Sequence, residues 1–170
     1  MYKYKLENDG IDHLNIYSNA KTELGQLLSN FAATPFIYNG WSFSSVESAW
    51  YVYRIQQRCS KYNDIAEITE DLYTLSKTSG YRAKELGKEL IKKYLAEDTK
   101  APSEKVLKQL YLCKLDYNPY ITEMLMKNDL PFTHYYVFGN KITEATNYLW
   151  TVELWNVVKQ ELIEHDWKID

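Results

Sequence analysis

Cysteine is scarce, with only Cys59 and Cys113 in 170 residues. Two thiols so far apart build neither a disulfide framework nor a CxxC redox or zinc motif, and they fit a reducing, cytoplasmic setting. Both are expected to be small buried hydrophobes. Histidine is as sparse. His13, His134 and His165 stand alone, without an HxxxH or HExxH pair, so no metal centre is expected. The chain has no GxGxxG and no P-loop, which excludes the usual dinucleotide and triphosphate cradles. No GxSxG elbow announces a serine hydrolase. Proline and glycine are few, 4 and 6, and no linker, repeat or low-complexity tract breaks the chain. No apolar run reaches membrane-spanning length, and the opening Met1-Tyr-Lys-Tyr-Lys-Leu-Glu7 lacks the apolar stretch of a secretory leader. No membrane partner is expected. Basic excess is missing too. The net charge of −3 argues against a sequence-blind grip on long duplexes but is compatible with a local basic pocket for a phosphorylated ligand.

What is present is ordinary globular material, 45 % apolar and 25 % charged, of a length that makes one domain over 1–170. Aromatics are the exception. Sixteen tyrosines and five tryptophans leave spares, beyond a core, for stacking on a flat ligand.

Local patterns predict a mainly helical α+β domain with a few short strands. His13–Ser18 reads as a strand. Phe36-Ile-Tyr-Asn39-Gly40-Trp-Ser-Phe43 reads as a hairpin, because Asn-Gly tolerates positive φ at both turn positions. A helix follows, with Ser44 as N-cap and Glu47 closing a capping box. Its repeat puts Val46, Trp50, Tyr53 and Gln57 on one face and Glu47, Tyr51, Arg54 and Arg58 on the next. Asp64 caps a second helix carrying Ile65, Ile68, Leu72 and Leu75, with Gly80 in its exit turn. Ser79 caps a third, with Ala83, Leu86, Leu90 and Tyr94 inward. Pro102-Ser103 opens a fourth, and Asn118-Pro119 a short fifth that ends near Asn128. Phe132–Phe138 is extended, 139–143 is loop, and a last helix runs from about Glu144 to His165 with Leu149, Val152, Asn156 and Leu162 near one face.

Glu47 is the carboxylate that invites a chemical role. It stands in the first turn of a helix, where partial positive charge favours an anion, directly after an aromatic hairpin. A purely structural role, closing the capping box, accounts for the same position.

The stretch Leu28-Ser-Asn-Phe-Ala-Ala-Thr-Pro-Phe-Ile-Tyr-Asn-Gly-Trp-Ser-Phe-Ser-Ser-Val-Glu-Ser-Ala-Trp-Tyr-Val-Tyr-Arg54 resembles the signature of the NADAR superfamily. Ser29-Asn30-Phe31, Pro35, Gly40, Phe43, Glu47 and Arg54 match it in order and at nearly its spacing. Arg82-Ala83-Lys-Glu-Leu-Gly87, Leu107 to Asn118-Pro119, and Asn147 to Leu154 are similar to its later elements. The resemblance implies a single-domain YbiA-like fold and an N-glycosidase. Such an enzyme hydrolyses the bond between (ADP-)ribose and a base-like nitrogen. The implied substrates are an ADP-ribosylated base, as in ADP-ribosyl-guanine of DNA, or a ribosylamino nucleotide, with no cofactor.

By the same resemblance Glu47 is catalytic. It stabilises an oxocarbenium-like sugar or activates water. Asn30 bonds the base edge or a ribose hydroxyl, Phe31 and Trp41 stack on the leaving group, and Arg54 holds a phosphate. Gly139 and Asn140 supply loop backbone and an amide, and Ser29, Tyr136 and Asn147 complete the ligand set. Where many members carry Tyr-Trp-Gly-Asp-Gly, this chain reads Tyr135-Tyr-Val-Phe-Gly-Asn140. That departure keeps a second reading open, a non-catalytic ADP-ribose or NAD reader. A third is an interaction domain that docks a partner through an aromatic surface.

Overall fold

The computed structural model describes residues 4–59, 65–139 and 141–165. It is mainly helical with a few short strands, as the sequence predicts. In chain order the elements are β1 (Leu14–Asn15), α1 (Glu23–Leu28), β2 (Phe36–Tyr38), β3 (Trp41–Phe43), α2 (Val46–Gln56), α3 (Ile65–Ser76), α4 (Gly80–Lys93), α5 (Glu104–Tyr117), α6 (Pro119–Lys127), β4 (Phe132–Thr133), β5 (Tyr135–Phe138), β6 (Lys141–Glu144) and α7 (Leu149–Glu164). They cluster into two compact units. The first combines the segment up to Ser29 with the segment from Asn118 onward. The second is continuous, Asn30–Tyr117.

The second unit is built around α2. Its neighbours are α3, α4, α5 and β3, while β2 lies on α5. Val46, Ala49, Val52 and Ile55 are buried along its length. The larger of these, Val46, Val52 and Ile55, each contribute about 1.5–3 kcal/mol by leaving water. Close approach of α4 depends on Gly87, since a Cβ there would stand 2.2 Å from the Tyr51 ring. The β2–β3 hairpin pairs Phe36 with Phe43 and Tyr38 with Trp41. Asn39 and Gly40 take φ of 50° and 78°, the turn expected of Asn-Gly.

In the first unit β1 pairs in parallel with β4, and β5 pairs with β6 as an antiparallel hairpin. Helix α1 packs on α6, and α7 on α6 and β4. Proline at the first position of α6 follows Asn118, as expected.

Several local expectations are corrected. The cap of α2 is Ser45, whose hydroxyl accepts from the Ser48 N–H. Ser44 lies in a bend between β3 and α2, with its N–H held by the Ser76 carbonyl. Glu47 therefore falls at the second helical position, one place short of a capping box. Along α2, Trp50 and Tyr53 are half-buried and Gln57 is exposed, whereas Tyr51 is buried. Residues 141–144 form a strand, not a loop, because Ile142 is buried and its flanks pair with β5. Helix α7 begins at Leu149, five residues later than predicted, after β6 and a 3-10 turn at Thr146–Tyr148. Its buried stripe is Val152, Leu154, Trp155, Val158 and Leu162, while Leu149 and Asn156 are exposed. The predicted strand at 13–18 shrinks to Leu14–Asn15. Gly80, with φ of 62°, opens α4 rather than ending α3. Leu86, expected inward, is half-buried, as are Cys59 and Cys113. Asp64 lies outside the described residues.

Candidate functional site

Glu47 gains its setting from two backbone bonds. Its N–H donates to the Asn30 carbonyl at 2.9 Å, and the Gly80 N–H donates to the Phe31 carbonyl at 2.9 Å. The Asn30-Phe31 loop is thereby pinned to the starts of both α2 and α4. One donor at the head of α2 is spent on the loop instead of on a capping side chain. This brings Asn30, Phe31 and Glu47 together.

The carboxylate is unusual. It is mostly buried, and among the described residues it makes no hydrogen bond and no ion pair. Loss of water raises its pKa from 4.5 to about 7, against the pull of Lys84 and, more weakly, Lys88. An acid that titrates near neutrality can hold or release a proton under working conditions.

Three further residues complete the site, none of them singled out from sequence. Lys84 and Lys88 lie one turn apart on α4, and the Lys84 ammonium stands 5.9 Å from the Phe31 ring centre. The helical repeat alone puts them on one stripe, but only the Gly87 notch against Tyr51 tells which way that stripe turns. Tyr111, on α5, is fully enclosed and donates to the Asn30 side-chain oxygen at 3.0 Å. Burial, reinforced by the charge of Glu47, keeps its hydroxyl protonated. Its distance of 81 residues from Asn30 hides it from any local motif.

The other predicted residues are placed differently. Trp41 is half-buried on β3 and stacks on Phe43, ring centres 6.4 Å apart. Arg54 is committed to the loop after α4. Its guanidinium reaches the Ala96 and Glu97 carbonyls at 3.3 and 3.2 Å and the Thr99 hydroxyl at 3.3 Å. The cations nearest in effect to Glu47 are the two lysines of α4 instead. Ser29, Tyr136, Gly139 and Asn147 belong to the first unit. Ser29 is the buried C-cap of α1. Tyr136 meets His134 and Tyr17 edge-on, at 5.1 and 5.5 Å. Gly139 is an exposed turn residue with φ of 60°. Asn147 is exposed in its 3-10 turn. Asn140 lies outside the described residues.

Among the described residues no three His, Cys, Asp or Glu side chains gather as metal ligands, and no helix is long and apolar enough to cross a membrane. The first unit holds the other dense polar cluster. Asp12 accepts from His13 Nδ1 at 2.5 Å, and His13 Nε2 meets the Tyr135 hydroxyl at 2.8 Å. The Asn15 amide bonds both the N–H and the carbonyl of Tyr135, at 2.9 and 3.1 Å. Asp9 accepts from the Asn15 and Lys21 backbones. His13, Asn15 and Tyr135 are essentially sealed from solvent, so no substrate reaches them.

Comparison with protein-family models, curated proteins and solved structures finds no match for this chain.

Proposed function

We propose that the chain is an N-glycosidase with Glu47 as its central carboxylate. The substrate would be an ADP-ribosylated base, including one carried by DNA, or a ribosylamino nucleotide. One observation carries the reading: a carboxylate without a partner among the described residues, lifted to about pH 7, beside a pinned Asn-Phe loop and two lysines. The resemblance of residues 28–54 to the NADAR signature supplies the bond type.

The chemistry follows from the site. Ionised Glu47 takes a proton from water as the water oxygen bonds to the anomeric carbon. The C–N bond breaks, its electron pair stays on the base nitrogen, and that nitrogen takes up the proton. Water is thus divided between sugar and base. Before that proton transfer to Glu47, while the C–N bond is breaking, the sugar is cationic, and the still ionised carboxylate about 4 Å away contributes about 4 kcal/mol at an effective dielectric near 20, roughly a thousandfold in rate. Lys84 and Lys88 meet the phosphates, and Phe31 stacks on a flat ring.

The test is mass-spectrometric detection of the released sugar phosphate and free base. The panel is ADP-ribosyl-guanosine DNA, ADP-ribosyl nucleosides, NAD and phosphoribosylamino-pyrimidines, with wild type beside Glu47→Gln. Release from one substrate, lost in the variant, is expected. ADP-ribose binding without release from any of them would replace the enzyme with a reader, and neither binding nor release would leave the aromatic-surface interaction domain.

A further inference from the structure

We infer that Tyr111 is a positioning residue that fixes the polarity of Asn30, so that its amide NH2 faces the ligand as a donor and the ligand answers there with an acceptor oxygen. This rests on the proposed glycosidase reading and sharpens it. An asparagine amide has two ends, and free rotation would let either one face a ligand. Three observations remove the choice. The Asn30 carbonyl is tied to the first turn of α2 through the Glu47 N–H, so the side chain leaves a fixed point beside the carboxylate. Its Oδ1 is taken by the Tyr111 hydroxyl at 3.0 Å. Its Nδ2 donates to no group among the described residues, although Asn30 is only half-buried.

Tyr111 is suited to the task because it cannot let go. Its ring is 1 % exposed, and a phenol sealed from water must give its proton to a protein acceptor or leave it unsatisfied. Burial, reinforced by the charge of Glu47, disfavours a negative phenolic oxygen and keeps it an O–H donor. Donation from Tyr111 therefore turns the Asn30 oxygen inward and its two N–H groups outward. At the position beside Glu47 the site then selects a carbonyl or hydroxyl oxygen of the ligand and rejects an amino group. This gives Asn30 a defined part in specificity, whereas sequence left it open between base edge and sugar. Because Tyr111 touches no reacting atom, its removal weakens binding while the chemical step is preserved.

The experiment uses the full chain labelled with 15N-asparagine, in wild type, Tyr111→Phe and Asn30→Asp. The Asn30 NH2 pair is identified by its loss in Asn30→Asp. In the free wild type it is expected to exchange readily with water, and to shift when ADP-ribose is added. In Tyr111→Phe, which keeps the ring and hence the packing, the pair moves. KM for the substrate found in the panel rises about 5- to 10-fold, the worth of one net hydrogen bond. Its kcat and pH midpoint stay put. A wild-type NH2 pair protected from exchange would show it bonded inward and overturn the inference. So would an unchanged KM, or a fall in kcat with a displaced pH midpoint, which would make Tyr111 a proton carrier. If no substrate turns over, the glycosidase reading falls while the exchange of the NH2 pair still decides the polarity of Asn30.

Discussion

Two polar clusters of this molecule follow opposite rules. In the first unit Asp9, His13, Asn15 and Tyr135 are buried and bonded, with the exposed Asp12 holding His13 from outside, and the Asn15 amide imitates a strand by bonding both backbone groups of Tyr135. In the second unit Glu47 is mostly buried yet accepts nothing from the described residues. The first arrangement is what stability asks of buried polar groups. The second costs stability, and such a cost persists where the group has work to do. The lesson is that the number of polar residues does not mark a site. His13 with its carboxylate and phenol has the look of a relay, but both its ring nitrogens are taken and the imidazole and phenol are buried. Glu47, with fewer neighbours, is the chemically available group.

The largest expected contrast is in activity. Glu47→Gln keeps shape and volume and removes the charge, so turnover should fall about a thousandfold. Asn15→Ala should leave turnover of the same substrate within about twofold, since the Asn15–Tyr135 pair it breaks is buried in the unit that does not carry Glu47. Equal losses in the two variants would erase the distinction between the clusters.

In stability the order reverses. Asn15→Ala strands a buried N–H and a buried carbonyl on Tyr135, and the expected loss is about 3 kcal/mol. A denaturant midpoint that moves only slightly would mean that water replaces the amide. Glu47→Gln should instead stabilise the protein, and only in part of the pH range. The folded-state pKa, about 7, lies above the ordinary 4.5 of an unfolded chain, so the native form holds its proton more tightly. Wild-type stability from this group is present below about 4.5 and is lost as pH rises through about 7. The variant has no such loss. Its advantage should be absent at pH 4.5 and reach about 2 kcal/mol at pH 8, in urea unfolding at the two values. A pH-independent difference would mean that the charge of Glu47 is not what costs stability.

The same contrast shows what the sequence could reveal. Elements with local causes were legible. Asn39-Gly40 between aromatics made its hairpin, and Asn118-Pro119 started its helix. Ser29 to Glu47 could be read as one motif because contiguity keeps Asn30 and Phe31 beside Glu47. Strand β6 buries only Ile142 and otherwise shows Lys, Thr and Glu, so no alternation announced it. The cap falls one residue later than the pattern predicts for a nonlocal reason, since the Ser44 N–H is held by the Ser76 carbonyl. Tyr111, Lys84 and Lys88 reach the site from other helices, and their contribution depends on packing that no local pattern encodes. Arg54, expected to hold a phosphate, bonds the Ala96 and Glu97 carbonyls, and the loop that supplies them is far away in sequence.

The finest test concerns why the carboxylate titrates near 7 and not higher. Burial raises its pKa, and the lysines of α4 oppose it, Lys84 more than Lys88. Removing Lys84 as Lys84→Met keeps most of the apolar stem that lies near Phe31 and deletes only the charge. The midpoint should then move upward from about 7 by a few tenths, with a smaller rise in Lys88→Met, because partly solvated charges act through a high effective dielectric. A 13C carboxyl titration of Glu47 reads this without any substrate. Raising the salt should lift the wild-type midpoint in the same direction and leave Lys84→Met less affected, since screening weakens the attraction that the substitution has already removed. If the midpoint of Lys84→Met fell or stayed fixed, the lysine would be held away from the carboxylate in solution. The site would then present one bare acid, without the paired anion and cation that a phosphorylated sugar needs to find side by side.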